Sequence, residues 1–197
     1  DDVQFQKNGV QNRNKLRNKN GDYWLTIPVK GSLEESIKDK DIADNKWRRK
    51  HFQSISQSYS RSPFWNSLKD EIEDLYSLET TKLNEINIVF LKFIIEKLEI
   101  DTEIIISSNE DFSGKKSDLV LNICSKLNAT TYLSGTGSKD YLDIKSFEDR
   151  GIVIEFIESL PAIYPQIHGE FIPGLSILDM MMNTSFEDIK NYFFEEN

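Results

Sequence analysis

The predicted fold depends on three short segments, residues 116–127 (KSDLVLNICSKL), 130–133 (TTYL) and 152–157 (IVIEFI). The first carries apolar residues at helical spacing, and the other two are β-branched or aromatic runs typical of strands. Residues 144–149, between the two strands, predict one more helical turn. Strands that alternate with helices are joined by crossover connections, so we expect these two strands to pair in parallel.

The same alternation continues toward the N-terminus. Residues 81–98 predict a long helix with an apolar stripe, and the β-branched run at 102–106 predicts a buried strand that ends at Ser107. Parallel strands are normally covered by helices on both faces of their sheet. The chain is therefore predicted to be an α/β protein with a Rossmann-like three-layer α/β/α architecture and a mainly parallel sheet.

The remaining segments complete this prediction. We expect helices at residues 44–59, 63–77, 175–183 and 185–194, and strands at 23–29 and around Ile37. A chain of 197 residues with 38% hydrophobic content fits a single domain over residues 1–197.

The charge and cysteine content narrow the class of protein. A formal net charge of −9 disfavours nucleic acid and anionic membranes, whose binding depends on clustered Lys and Arg. The run at 46–51 (KWRRKH) is a local exception, either the solvated face of a helix or a contact for a phosphate-bearing substrate. No stretch of ~20 apolar residues predicts a membrane span. The lone Cys124 cannot form an intrachain disulfide, so we expect a core position for it and a cytoplasmic protein.

The first fourteen residues are unusually rich in amides and charges. Such a density of donors and acceptors suits a pocket for a polar ligand, although an exposed, Asn-rich turn is the plainer interpretation. Asp2 can fix or deprotonate an amine, while Lys7 and Arg13 can hold a phosphate or carboxylate. The predicted substrate-binding set from this segment is Gln4, Lys7, Gln11, Asn12 and Arg13.

Two loops follow the predicted parallel strands. Ser107 ends one strand, and the run beginning Ser134-Gly135 ends the next, so both loops are expected at the same rim of the sheet, where ligands bind. Their hydroxyls and backbone amides can contact a phosphate or carboxylate. The second loop lacks the spacing of a phosphate-binding loop, so it is either an active-site loop or a plain turn.

Motifs throughout the chain resemble the WbqC-like protein family of bacterial surface-polysaccharide gene clusters. The matching motifs are residues 1–7 (DDVQFQK), 12–14 (NRN), 24–29 (WLTIPV), Trp47 with His51, 62–64 (SPF), 132–135 (YLSG), 141–143 (YLD) and 171–179 (FIPGLSILD). Members usually begin with a strand and a Gln-Pro-x-Tyr-x-Pro-like segment. We therefore expect that an N-terminal strand and loop of the full-length protein precede Asp1.

The resemblance implies roles for further residues. His51 becomes a candidate general base beside Asp2, because an imidazole titrates near neutral pH, whereas a half-buried structural histidine is the alternative. Tyr141 and Asp143 join Ser107, Ser134 and Gly135 as candidate substrate contacts, with a helix cap as the alternative for Asp143. Two histidines and one cysteine, widely separated, predict no zinc site.

The family resemblance also implies the reaction. It points to a transferase of O-antigen biosynthesis that moves a glycyl, aminoacyl or acyl group to an amino sugar. The expected partners are small molecules: a nucleotide sugar or amino sugar, with a carrier-bound acyl donor. Two alternatives stay open, a nucleotide-binding or nucleotidyl-transfer domain and a non-enzymatic assembly protein that binds partners through Trp65 and Tyr76. The sequence gives no prediction of the oligomeric state.

Overall fold

The computed structural model describes residues 1–158 and 162–194, and these residues form a mixed α/β protein. The chain divides into two compact units. Unit 1 consists of residues 1–104 and 161–197, and unit 2 consists of residues 105–160. Because unit 1 contains both ends of the chain, its core is built from segments that are far apart in sequence.

The helices and strands follow one another in this order along the described residues: β1 (Arg13–Asn18), β2 (Gly21–Thr26), β3 (Val29–Lys30), β4 (Asp41–Ile42), α1 (Lys46–Tyr59), α2 (Trp65–Ser77), α3 (Leu83–Lys97), α4 (Ser117–Lys126), β5 (Thr131–Gly135), α5 (Ile144–Glu148), β6 (Val153–Ile157), α6 (Ile177–Asn183) and α7 (Phe186–Phe194). Short 3₁₀ turns occupy Ser107–Asn109 and Thr136–Ser138. The predicted helices are confirmed, with ends that differ by a few residues.

A β-hairpin opens unit 1. Strands β1 and β2 are antiparallel, with Leu16 opposite Tyr23 and Lys15 opposite Trp24. Residues directly opposite each other share one face of the hairpin. Leu16 and Tyr23 therefore face the core together, whereas Lys15 and Trp24 lie on the other face.

Helices α1 and α2 supply seven of the fifteen buried core residues in the described part of unit 1. Their apolar residues recur three and four positions apart, which places them along one stripe of each helix. The methionines of α6 complete the core from the C-terminal part of the chain. The buried residues of this core include Leu16, Ile42, Trp47, Ile55, Tyr59, Trp65, Leu68, Ile72, Tyr76, Ile86, Leu98, Met180, Met181, Met182 and Ile189. Because Trp65 and Tyr76 are buried, the prediction that they form a partner-binding surface is wrong.

The first residues of the chain are bound to the segment that precedes β4. Phe5 N–H donates to Glu35 O at 2.9 Å. Within the segment that precedes β4, Lys40 Nζ donates to Ser32 O. Lys40 is buried beneath the Phe5 ring, with Nζ 5.1 Å from the ring centre. The strand expected around Ile37 is absent from the described residues. An isolated β-bridge joins residues 4 and 36, and the next strand, β4, begins at Asp41.

Unit 2 contains a small β–α–β arrangement. Strands β5 and β6 are parallel, with Thr131 opposite Val153 and Gly135 opposite Ile157, and α5 lies in the connection between them. Its core consists of Leu121, Cys124, Leu142, Phe147 and Ile152. The predicted parallel pairing of these strands and the core position of Cys124 are confirmed, and burial raises the pKa of the Cys124 thiol.

The larger architecture differs from the prediction. The sheets among the described residues are two-stranded, and only β5–β6 is parallel, so the three-layer Rossmann-like arrangement with a mainly parallel sheet is not confirmed. Residues 102–106 form no strand. Their β-branched side chains favour an extended backbone, but a strand also requires a partner, and none of the described strands pairs with them. The single domain stays a prediction.

Candidate functional site

A cavity of about 220 Å³ lies within unit 1, and we call it the apolar cavity. Its walls come from the β1–β2 hairpin, helices α1, α2 and α3, and the start of α6. The apolar lining residues are Val10, Leu16, Leu25, Ile27, Trp47, Ile72, Leu75, Tyr76, Ile86, Phe90, Phe93, Ile94, Ile177, Leu178 and Met181. The interior therefore suits an apolar group.

Polar residues complete the lining of this cavity. The predicted residues Gln11, Asn12 and Arg13 lie side by side in it, together with Asn14. The backbone holds them in place, since Ile27 N–H donates to Asn12 O at 2.8 Å and Asn12 Nδ2 donates to Ile27 O at 2.9 Å. Three of the five predicted substrate-binding residues from the N-terminal segment thus line one cavity, and their role in binding stays a prediction.

Arg13 is the cation of the cavity. Its guanidinium carbon lies 4.1 Å from the centre of the Trp24 ring, and its Nη2 donates to Asn8 O. The Arg13 Nε atom is buried and has no hydrogen-bond partner among the described residues. Because Nε is buried, the terminal nitrogens are the part of this guanidinium that can contact an anionic or carbonyl group of a ligand.

His51 also lines the cavity, and it is 7% exposed. Its ring contacts the rings of Trp47 and Tyr76, whose centres are 5.1 and 5.8 Å away. The Nε2 atom is 3.1 Å from Thr26 O, and because a carbonyl oxygen can only accept, Nε2 carries the proton and Nδ1 has the lone pair.

Burial lowers the pKa of His51 to about 4, against a smaller opposite effect of the bond to Thr26 O. The imidazole is therefore neutral at pH 7. A general base works best when its pKa lies near the working pH. The environment of His51 therefore favours a role as a hydrogen-bond acceptor over a role as a strong base. The catalytic role of His51 stays a prediction.

Three other N-terminal candidates are placed elsewhere. Asp2, Gln4 and Lys7 are not among the described residues that line the apolar cavity. Gln4 Nε2 donates to Leu33 O at 3.1 Å, and Lys7 is exposed. The polar N-terminal stretch thus divides at the turn near Gly9, whose N–H donates to Gln6 O at 3.0 Å.

The candidates from the strand-end loops belong to unit 2. Ser134 is buried, and its Oγ lies 2.5 Å from Ser138 Oγ, which in turn bonds Gly135 O at 2.8 Å. Tyr141 is exposed, and Ser107 begins a 3₁₀ turn. The hydroxyls of the Ser134 loop are thus engaged with one another. Substrate contacts by these residues stay predictions.

Asp143 has a structural role in unit 2. It accepts a 2.6 Å hydrogen bond from Ser146 Oγ and a 3.4 Å bond from Ser146 N at the start of α5. The side-chain bond, followed by the backbone bond, lowers the pKa of Asp143. These contacts agree with the helix-cap alternative for this residue.

Three polar residues of the apolar cavity, Asn14, Asn87 and Ser176, are not among the predicted site residues. Asn87 lines the cavity, and its Nδ2 donates to Gln11 O at 2.8 Å. Ser176 lines it too, and its backbone N–H donates to Lys15 O at 2.8 Å. The detectable signal for Asn87 is a lone amide within the apolar stripe of α3. Ser176 belongs to a matching motif, which was interpreted only as the start of a helix.

A buried network holds the α6 wall of the cavity. Asp179 accepts hydrogen bonds from Tyr59 at 2.6 Å and from Tyr164 at 2.8 Å, and Arg17 N–H donates to Tyr59 at 3.2 Å. Burial, with a further contribution from Asp179, raises the pKa of Tyr59, so its hydroxyl stays a donor. The structural role expected for Asp179 agrees with these contacts.

Some ligand classes can be assessed directly. Within residues 1–158 and 162–194, no group of three or more His, Cys, Asp and Glu side chains is placed to hold a metal ion. Over the same residues, every helix is too short or too polar to cross a membrane.

The chain belongs to the WbqC-like protein family, whose model matches residues 1–191. One relative is "Uncharacterized protein Rv1507c" of Mycobacterium tuberculosis. It is 29% identical over 191 residues, which cover 95% of this chain and 83% of the relative. No solved structure matches the chain.

Proposed function

We propose that this protein is a transferase of surface-polysaccharide biosynthesis that moves a glycyl, aminoacyl or acyl group to an amino sugar. Membership of the WbqC-like family supports the pathway. The single observation that supports the reaction is the lining of the apolar cavity, which combines an apolar interior with the amides and guanidinium of Gln11, Asn12 and Arg13.

The size of the cavity favours a small group. At about 220 Å³ it is smaller than the ~300 to 1,000 Å³ of pockets that enclose drug-sized ligands. A whole nucleotide exceeds this volume, whereas a short acyl or aminoacyl group fits it. The apolar walls would then hold the transferred group, and the polar residues would hold the carbonyl and any anionic part of the donor.

In the proposed reaction, the amine nitrogen of the sugar attacks the carbonyl carbon of the donor. The new C–N bond forms, the bond to the leaving group breaks, and the amine proton passes to a base. The Arg13 guanidinium, through its terminal nitrogens, is the candidate donor to the oxygen that develops negative charge. His51 Nδ1 is the candidate acceptor of the proton, because Nε2 is bound to Thr26 O and Nδ1 carries the lone pair.

Product formation tests this proposal. Purified protein is incubated with nucleotide-linked amino sugars and activated glycine or acyl thioesters, and the sugar is analysed by mass spectrometry. We expect the mass of one acyl or glycyl group to be added. We expect Arg13→Ala to reduce the rate about a hundredfold to a thousandfold, the range for loss of one oxyanion contact. Lys92→Ala removes the same charge from an exposed position outside the cavity and is the control. The absence of both product and substrate binding would reject the proposal.

Nucleotide binding is a second candidate, supported by the parallel β5–α5–β6 arrangement of unit 2. Ligands of such arrangements bind beyond the carboxyl ends of the strands, which here is the Ser134 loop. A nucleoside triphosphate at ~100 times its dissociation constant would add about 2.7 kcal/mol of stability. A melting temperature unchanged by nucleoside triphosphates would remove this candidate.

A further inference from the structure

Unit 1 contains a second concave region, which we call the polar hollow. It has a volume of about 690 Å³ and is lined by residues 18–20, Tyr23, the C-terminal part of α1 through Arg61, and His168. Among the described residues, none lines both this hollow and the apolar cavity. His51 and Ser54 are the nearest lining residues of the two regions on α1, and they lie three positions apart, roughly 5 Å along that helix.

The charges of the polar hollow contrast with those of the whole chain. The chain has 33 acidic and 24 basic residues, yet neither Asp nor Glu occurs among the described residues that line the hollow. Lys19 and Arg61 both line it, and both are exposed. Neither side chain forms an ion pair or hydrogen bond with another described residue. The hollow therefore presents two uncommitted cations in an acidic protein.

The end of α1 would by itself disfavour an anion, because a helix C-terminus carries partial negative charge. Here three of its last four carbonyls accept hydrogen bonds. Ser60 N–H donates to Ser56 O at 2.9 Å, and Ser62 N–H donates to Tyr59 O at 2.8 Å. His168 Nε2 donates to Ser58 O at 2.8 Å. These donors offset part of the negative charge at this helix end.

Most of the other lining residues are amides and hydroxyls, and Ile167 and His168 complete the set. Asn20 and Gln57 carry side-chain amides, each with two donors and one acceptor oxygen, which are the groups that bind sugar hydroxyls. Lys19 and Arg61 are the groups that bind a phosphate, Arg61 by two parallel contacts. The volume lies within the ~300 to 1,000 Å³ of small-molecule sites.

We propose that the polar hollow is a second binding site, and that its ligand is a phosphorylated sugar. Lys19 and Arg61 hold the phosphate, and Asn20 and Gln57 hold the sugar hydroxyls. This site is separate from the apolar cavity, so it does not depend on the proposed transfer reaction.

An NMR titration of the full chain tests this proposal with three probes: glucose 1-phosphate, glucose and inorganic phosphate. We expect glucose 1-phosphate to bind most tightly and to shift the side-chain amide signals of Asn20 and Gln57. The double variant Lys19→Ala/Arg61→Ala should weaken this binding at least tenfold. The control Lys38→Ala/Lys92→Ala removes the same charge from exposed positions outside both cavities and should bind within about twofold of the unchanged protein.

Four results would overturn the proposal: no binding of glucose 1-phosphate, equal weakening in both double variants, equal affinity for inorganic phosphate, or shifts at Gln11–Arg13 instead of Asn20 and Gln57. The last result would place the ligand in the apolar cavity. It would contradict the second binding site but not the proposed transferase function. Failure of the transfer assay, in contrast, would not change the expected titration.

Discussion

Tyr59 donates a 2.6 Å hydrogen bond to Asp179, a residue 120 positions further along the chain. Asp179 is 0% exposed, and its second oxygen accepts from Tyr164 at 2.8 Å. A buried carboxylate with two donors fixes the position of α6, because any displacement would leave these groups unpaired. This contact connects the wall of the apolar cavity to α1.

Removal of this carboxylate should therefore destabilise the protein. We predict that Asp179→Ala lowers the free energy of unfolding by about 3 kcal/mol, since two buried hydroxyls lose their acceptor. Tyr164→Phe removes only one bond and should cost about 1 kcal/mol. Urea unfolding measures both values. Equal losses in the two variants would contradict the proposed network.

The lowered pKa of His51 predicts a pH dependence of stability. In the unfolded chain the imidazole binds a proton below about pH 6.5, whereas in the folded protein it does so only below about pH 4. The unfolded state thus binds more protons between these values. Stability from this group is complete above pH 6.5 and decreases by about 3 kcal/mol as the pH falls to 4.

His51→Gln tests that dependence, because its amide can still donate to Thr26 O. Urea unfolding of both proteins at pH 7.0, 5.5 and 4.5 isolates the histidine from the other titrating groups. We expect the original protein to lose more stability than the variant toward pH 4.5. A constant difference between the two proteins over this range would show that His51 titrates normally.

The contact between Arg13 and Trp24 should be visible by fluorescence. Trp24 is 43% exposed, whereas the other two tryptophans, Trp47 and Trp65, are buried. In Arg13→Ala the guanidinium no longer covers the Trp24 ring, so we expect stronger quenching by acrylamide. The loss of the cation–π contact should cost only about 0.5 to 1 kcal/mol of stability. Trp24→Phe should remove the quenchable fraction, and quenching that stays unchanged in Arg13→Ala would argue against the contact.

Unit 2 depends strongly on one aromatic side chain. Phe147 is fully buried in its small core, and its ring stacks on Tyr132 with centres 5.9 Å apart. Phe147→Ala should cost about 3 to 5 kcal/mol. The measurement is hydrogen exchange at the β6 amides, including Val153 N–H, which bonds Thr130 O at 2.9 Å.

The control for Phe147→Ala is Leu133→Ala, on the other face of the same strand pair. Leu133 is 57% exposed, so its truncation should change stability by less than about 0.5 kcal/mol. Comparable acceleration of β6 exchange in both variants would show that Phe147 is not the main support of the parallel pair.

The sequence predicted helices better than sheets, for a physical reason. The spacing of Trp47, Ile55 and Tyr59 is a local signal, and α1 follows from it directly. Strand formation depends on a partner that may be distant in sequence, as the unpaired run at 102–106 shows. Strand β1 has little apolar pattern, but the dipeptide Asn20-Gly21 is a hairpin signal that would have predicted it.

The candidate site residues stay predictions. Gln11, Asn12, Arg13 and His51 line one cavity, although 38 positions separate Arg13 from His51. The remaining N-terminal candidates diverge because Asn8 has a φ of 63° and the chain turns there. Asn87 and Ser176 could not be linked to this site, since their proximity to β1 arises only from packing.

The discontinuity of unit 1 has a consequence for biosynthesis. Tyr59 leaves the ribosome 120 residues before its acceptor Asp179, which is roughly 6 to 24 s at about 5 to 20 residues per second. During that interval the nascent chain exposes the apolar surface that later meets the methionines of α6. We expect chaperones to bind the emerging N-terminal half until the C-terminal residues have been translated.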